Sequence, residues 1–153
     1  MAPLSVRPVS LAETRVLRRE VLRPHMEVEE LATHEPAGAV AFGAFAGGDL
    51  VAVGLIGADG EPGDWRVRGM ATRVDARGQG AGSAILHALV QHASDQGATR
   101  VWCNARTRAL NLYQRAGFVI ASDEFEPPDI GPHYRMELTV AGADPTHASR
   151  AGG

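Results

Sequence analysis

Lysine is missing from this chain: all 15 positions counted as Lys plus Arg are arginine. Schiff-base chemistry and lysine-dependent phosphate loops are thereby excluded, because both need a primary amine that a guanidinium does not offer. Cysteine is nearly missing too. Cys103 stands alone, so the chain forms neither an internal disulfide nor a multi-cysteine metal site, and a reducing compartment suits it. The segment from Met1 to Ser10 holds Pro3, Arg7 and Pro8 without the apolar stretch of a signal peptide. No apolar run approaches the ~18 residues that mark a membrane-spanning helix. Excess positive charge is the last absence. A formal net charge of -3 argues against a nucleic-acid partner, whose binding depends on many cationic contacts releasing counterions. A cytoplasmic protein acting on small molecules is the expectation.

What is present suits one folded domain over residues 4–140. The 153 residues, 44% of them hydrophobic, suffice for a continuous core. From Ala141 onward the chain is small, polar and Gly-rich, with too little to bury, and reads as a frayed tail. No internal repeat or interdomain linker is visible.

Local signals order the elements. Leu4 to Val9 reads as a strand. Ser10 and Glu13 then have the spacing of a capping box ahead of Leu11, Val16, Leu17 and Val21. A short second helix is expected from Glu27 to Ala32. Three strand-like runs follow, Ala39–Ala46, Leu50–Ile56 and Trp65–Thr72. In the third, strict alternation puts Trp65, Val67, Gly69 and Ala71 on one face. Ala81, Ala84, Ile85, Ala88 and Leu89 recur at helical spacing and mark the clearest helix, ended by Gly97. Thr99–Asn104 reads as a strand, Arg106–Ala116 as a helix, Phe118–Ser122 as a strand, and the alternation from Tyr134 to Val140 as a last half-buried strand. The fold class is α/β (α+β), with a mixed sheet carrying helices on its faces. The crossover through the long helix makes Trp65–Thr72 and Thr99–Asn104 parallel neighbours.

Arg77, Gly78, Gln79, Gly80, Ala81, Gly82 and Ser83 lie between a strand and the long helix. Free backbone N–H groups and the positive helix end converge there, which attracts an anion. A Walker loop needs a lysine that the chain lacks. A Rossmann fingerprint needs G-x-G-x-x-G/A, yet counting from Gly78 places Ser83 at the last position, and counting from Gly80 places Ile85 there.

The run WRVRGMATRVDARGQGAGSAI, Trp65 to Ile85, closely resembles the acetyl-CoA-binding motif of the GNAT superfamily of N-acetyltransferases. Its signature R/Q-x-x-G-x-G/A is met by Arg77, Gly80 and Gly82. A second run, NARTRALNLYQRAGF, is similar to the family's second motif through Asn104, Ala109, Asn111, Tyr113, Gly117 and Phe118. The resemblance implies a mainly antiparallel GNAT-like sheet of about six to seven strands with about four helices, and parallel strands splayed at the cofactor. It also implies acetyl-CoA as co-substrate; no metal is expected. Met70, Ala71 and Thr72 would hold the pantetheine arm, the turn from Arg77 to Ser83 the pyrophosphate, and Asn104, Asn111 and Tyr113 would complete the cofactor set. The Met70–Ala71 backbone is the implied oxyanion donor.

Acetyl transfer further needs a group to protonate the departing thiolate and one to deprotonate the amine. Tyr113 is the candidate acid. His133 is the candidate base, since Arg66 and Arg68 stand where many family members carry a carboxylate. Glu29, Glu30, Asp123, Glu124 and Glu126 are weaker candidates. Arg15, Arg18, Arg19 and Arg23 read mainly as a solvated helix face, the other option being an acceptor pocket, formed with Arg66 and Arg68, for a substrate bearing a carboxylate or phosphate. Cys103 reads as a small core residue, and His87 and His92 are wrongly spaced for zinc. The expected partners are acetyl-CoA and an unidentified amine, with no nucleic acid and no membrane; a homodimer is open to the chain. An acyl-CoA sensor without catalysis is the alternative, and a protein using the turn for another nucleotide a third.

Overall fold

A computed structural model describes residues 3–128 and 131–140. The expected tail, 141–153, lies outside the described residues.

The elements in chain order are β1 (Leu4–Val9), α1 (Leu11–Leu22), α2 (Val28–Leu31), β2 (Val40–Ala46), β3 (Asp49–Ala58), β4 (Asp64–Thr72), α3 (Ala81–Asp95), β5 (Arg100–Arg106), α4 (Leu110–Arg115), β6 (Val119–Ile120) and β7 (His133–Thr139). The strands form one mixed sheet in the order β1-β2-β3-β4-β5-β7-β6. β4 and β5 are parallel, and the pairs β1–β2, β2–β3, β5–β7 and β6–β7 are antiparallel.

By contacts the chain forms two compact units. Among the described residues the first comprises 3–57 with 67–89, the second 58–66 with 90–128 and 131–140. In the first, Ser10 accepts from the Glu13 backbone N–H while the Glu13 carboxylate accepts from the Ser10 N–H, so the capping box starts α1. β3 is buried continuously from Val51 to Gly57, the pattern of a strand covered on both faces. Leu17, Val53 and Ala71 form a cluster edged by Val21, Leu22 and Leu50.

In the second unit the parallel ladder covers Asp64↔Arg100, Trp65↔Val101 and Arg66↔Trp102, whereas β5 stays paired with β7 through Arg106↔His133. Three elements are shorter than their patterns suggest, among them α2, which spans Val28–Leu31 and not Glu27–Ala32. The stretch expected as one helix opens with a 3₁₀ turn at Thr107–Ala109, without a side-chain cap, before α4. The strand expected to reach Ser122 ends at Ile120, because the Ser122 hydroxyl accepts the Arg135 N–H at 2.9 Å in place of a ladder bond.

Candidate active site

Gly69 decides how β4 presents its residues. Its φ of 61° lies in the left-handed region, which interrupts the pleat. Trp65 packs edge-on against His92 of α3 at 5.9 Å. The Met70 sulfur converges with Ile85 and Leu89 of the same helix on the point where a Cβ on Gly54 would stand. An odd- and an even-numbered residue of one strand thus both face α3, which strict alternation forbids. Gly69 and Ala71 face α1 instead, through Arg18 and Leu17. The expectation that Trp65, Val67, Gly69 and Ala71 share one face is therefore corrected: the irregularity at Gly69 moves the last two to the other side.

In the same unit the turn after β4 takes the shape of an anion cradle. A 3₁₀ turn, Val74–Ala76, leads to Arg77 in extended conformation. Gly78 and Gly80 have φ of 78° and 85°, and a Cβ on either would meet nothing within 4 Å. Backbone conformation, not crowding, is what demands glycine there, and the space beside the main chain is open. The first helical bond runs from the Ala84 N–H to the Gly80 carbonyl at 3.0 Å, so the amides just inside α3 have no intrahelical acceptor. Ala81 is buried and anchors the helix, while Arg77 and Ser83 are exposed. Met70 and Thr72 are half-buried and Ala71 is buried.

Above Gly69 lies a charged network. Glu35 receives Arg15 bidentately, Nε to Oε2 at 3.0 Å and Nη2 to Oε1 at 2.9 Å. Arg18 donates through Nη1 to Glu35 Oε2 at 2.6 Å and to Thr14 Oγ1 at 3.2 Å. The side chains of Arg18 and Glu35 are only 6% and 5% exposed. The Arg15 hydrogen bonds hold the Glu35 carboxyl below its ordinary range, against burial and helped by Arg18. Arg18 is therefore no solvated arginine, as the main reading of its helix face had it; its partner Glu35 is 17 residues further along, and nothing in local spacing links the two.

The second unit holds the remaining candidates. Tyr113, on α4, is 6% exposed and packs edge-on against Phe118 at 5.5 Å. Its hydroxyl makes no hydrogen bond to any described residue. Burial, with Cys103 adding to it, pushes the phenol far above its ordinary value, so the group is protonated throughout the physiological range. Cys103 is 1% exposed and its thiol is pushed up to about 12 by desolvation, against the pull of Arg66 and Arg135. It is an inert core group. His133 is 5% exposed, with Nδ1 2.8 Å from the Gly131 carbonyl oxygen and its ring 6.0 Å from Phe125. Because a carbonyl only accepts, Nδ1 carries the proton of the neutral ring and Nε2 keeps the lone pair. Asn104 and Asn111 are exposed. Arg66 lies 4.6 Å over the Trp102 ring and 3.6 Å from Asp59, and Arg135 covers the same ring at 4.0 Å. Glu29, Glu30, Asp123, Glu124 and Glu126 are all exposed.

The fold is thus a mixed seven-stranded sheet with one parallel pair, in which a glycine turn after the central β4 feeds a long helix. The fold matches the ribosomal-protein-S18-alanine N-acetyltransferase of Escherichia coli with a TM-score of 0.76 at 17% identity, over 93% of this chain and 97% of that one. It also matches an acyl-CoA N-acyltransferase from Pseudomonas aeruginosa, TM-score 0.70 at 23% identity, over 91% of this chain and 100% of that one. A Bacillus subtilis protein described as the uncharacterized N-acetyltransferase YitI is 31% identical over 144 residues, 90% of this chain and 97% of the relative. The model of the Acetyltransferase (GNAT) family matches residues 10–118. The chain belongs to the GNAT acetyltransferase family, and with it come acyl transfer from an acyl-CoA and an acceptor substrate. No described helix is long and apolar enough to cross a membrane.

Proposed function

We propose that this protein transfers the acetyl group of acetyl-CoA to a primary amine by direct attack within a ternary complex. The observation that carries the reading is the turn after β4. Two glycines in left-handed conformation open the main chain on one side, directly before the N-terminus of a 15-residue helix. A diphosphate bound there would accept hydrogen bonds from amides that otherwise lack acceptors, with Arg77 adding a charged donor. Arg77, Gly78, Gln79, Gly80, Ala81, Gly82 and Ser83 are assigned to the pyrophosphate, Met70, Ala71 and Thr72 to the pantetheine, and Asn104, Asn111 and Tyr113 to the rest of the cofactor.

The chemistry divides among named groups. An alkyl amine with a pKa near 10.4 is mostly protonated at neutral pH, so its proton must leave before attack. His133, whose Nε2 is the basic nitrogen, is assigned that step, directly or through a water. Main-chain donors at Met70 and Ala71 are assigned the developing oxyanion, a charge that fixed dipoles stabilise without reorganising. When the thioester C–S bond breaks, Tyr113 donates to the CoA thiolate. A phenol that burial keeps protonated and that has no acceptor among the described residues suits this role. The experiment is an amine panel with detection of released CoA thiol. Turnover with some amines over background is expected; acetyl-CoA binding with no turnover on any amine would favour an acyl-CoA sensor.

A further inference from the structure

Among the arginines of α1, Arg18 alone is almost wholly buried while keeping one edge of its guanidinium uncommitted. Nη1 makes both of its hydrogen bonds, to Glu35 and Thr14; Nε and Nη2 make none to any described residue. Those two nitrogens form the side of the fork that matches the two oxygens of a carboxylate. The charge count agrees. Arg15 and Arg18 share the single carboxylate of Glu35, which leaves one positive charge in excess among side chains largely withdrawn from water. An unbalanced buried charge is costly and calls for a counter-ion.

Position gives this edge a use. Arg18 Nε lies 3.1 Å and Cδ 3.3 Å from where a Cβ on Gly69 would stand. Arg18 therefore occupies the face of β4 at the residue just before Met70 and Ala71, which the proposed function assigns to the thioester carbonyl. An amine in position to attack that carbonyl carbon comes within about 3–3.5 Å of it, and the body of the acceptor must then lie near Gly69. We propose that Arg18 is a specificity-determining residue that binds a carboxylate of the acceptor, so that the preferred substrate is an amine bearing a carboxylate a few bonds away. This rests on the acetyl-transfer reading for the place of the amine. Glu35 and Thr14 act as positioning residues that hold the fork with its Nε–Nη2 edge outward.

The test compares matched acceptors. Free amino acids and their α-carboxamides form one arm; peptides beginning with Asp or Glu, and their Asn or Gln counterparts, form the other. Release of CoA thiol gives kcat and KM for each. A charge-assisted bidentate contact corresponds to a preference of about tenfold to a hundredfold in kcat/KM for the carboxylate member, and the arm that shows it identifies a free amino acid or a chain terminus. Arg18→Gln should bring that ratio close to one through KM, with the KM for acetyl-CoA held. Arg18→Lys, which keeps the charge but not the fork, should restore only part of it. Equal rates for both members of every pair, or an unchanged ratio in Arg18→Gln, would overturn the assignment. Should Arg18→Gln fail to fold, succinate as an inhibitor of the unaltered protein decides: competition with the amine supports the assignment, and no competition overturns it. Should no amine turn over, the acetyl-transfer reading fails by itself, and calorimetry of succinate and succinamide against the CoA-loaded protein still separates a carboxylate site from none.

Discussion

Arg18 lies over Gly69, its Nε 3.1 Å from the point where a Cβ on that residue would stand. A helix arginine and a strand glycine thereby fix one another: Gly69 takes a φ of 61° that turns the chain, and Arg18 fills the space that a side chain would claim.

Substitution at Gly69 should therefore act on both partners. Gly69→Ala places a Cβ in a left-handed conformation, at a cost of about 1–2 kcal/mol, and pushes against the Arg18 side chain. We expect a lower melting temperature and, in the folded protein, a reduced kcat, because Met70 and Ala71 follow directly. A variant equal to the parent in both would show that the irregularity in β4 is dispensable.

The Glu35 network should govern the acid limb of stability. Its carboxyl is held below the ordinary Glu value, about 4.3, by Arg15 and then Arg18. Its contribution is therefore present above that value and is lost as pH falls through the lowered native one. Glu35→Gln leaves Arg18 buried without its anion, and breaking a buried pair in this way costs roughly 3–5 kcal/mol. Denaturant melts at pH 7 and pH 3 check this: the gap between parent and variant should be large at pH 7 and narrow at pH 3.

The alkaline limb should belong to Cys103 and Tyr113. Burial raises both groups, so above about pH 8.5, the ordinary thiol value, the unfolded chain releases protons that the native chain retains. Stability then falls as pH rises. Cys103→Ala should flatten the fall between about pH 8.5 and 10, and the native thiol should resist a thiol reagent until denaturant is added.

How legible all this was varies with the range of the forces involved. The capping box at Ser10 and Glu13, the helix from Ala81 and the parallel neighbours β4 and β5 are written in local spacing or in the handedness of one crossover, so the sequence yields them directly. The turn was legible as a shape: Gly78 and Gly80 do take left-handed conformations. The parity change at Gly69 was not, because a glycine inside an alternating strand does not itself say whether the pleat continues. Arg18 departs from the solvated-face pattern for a related reason. Charged residues on a helix are mostly solvated, and the partner that allows this one to be buried, Glu35, comes from beyond α2. His133 likewise gave no hint in sequence of its bond to Gly131.

Tyr113→Phe removes only the hydroxyl, which has no hydrogen-bond partner among the described residues. If it protonates the thiolate, kcat should fall by about a hundredfold while the affinity for acetyl-CoA changes little, since the ring keeps its contact with Phe118. Full activity in this variant would return Tyr113 to a packing role.

The most direct measurement is calorimetric titration of acetyl-CoA into the parent protein and into Gly80→Asp. Gly80 has a φ of 85° and open space where its side chain would be, so the added carboxylate would stand in the cradle assigned to the diphosphate and repel it. We expect saturable binding to the parent and at least a hundredfold weaker binding to the variant, with the variant still folded by circular dichroism. Equal affinity in the two would contradict it.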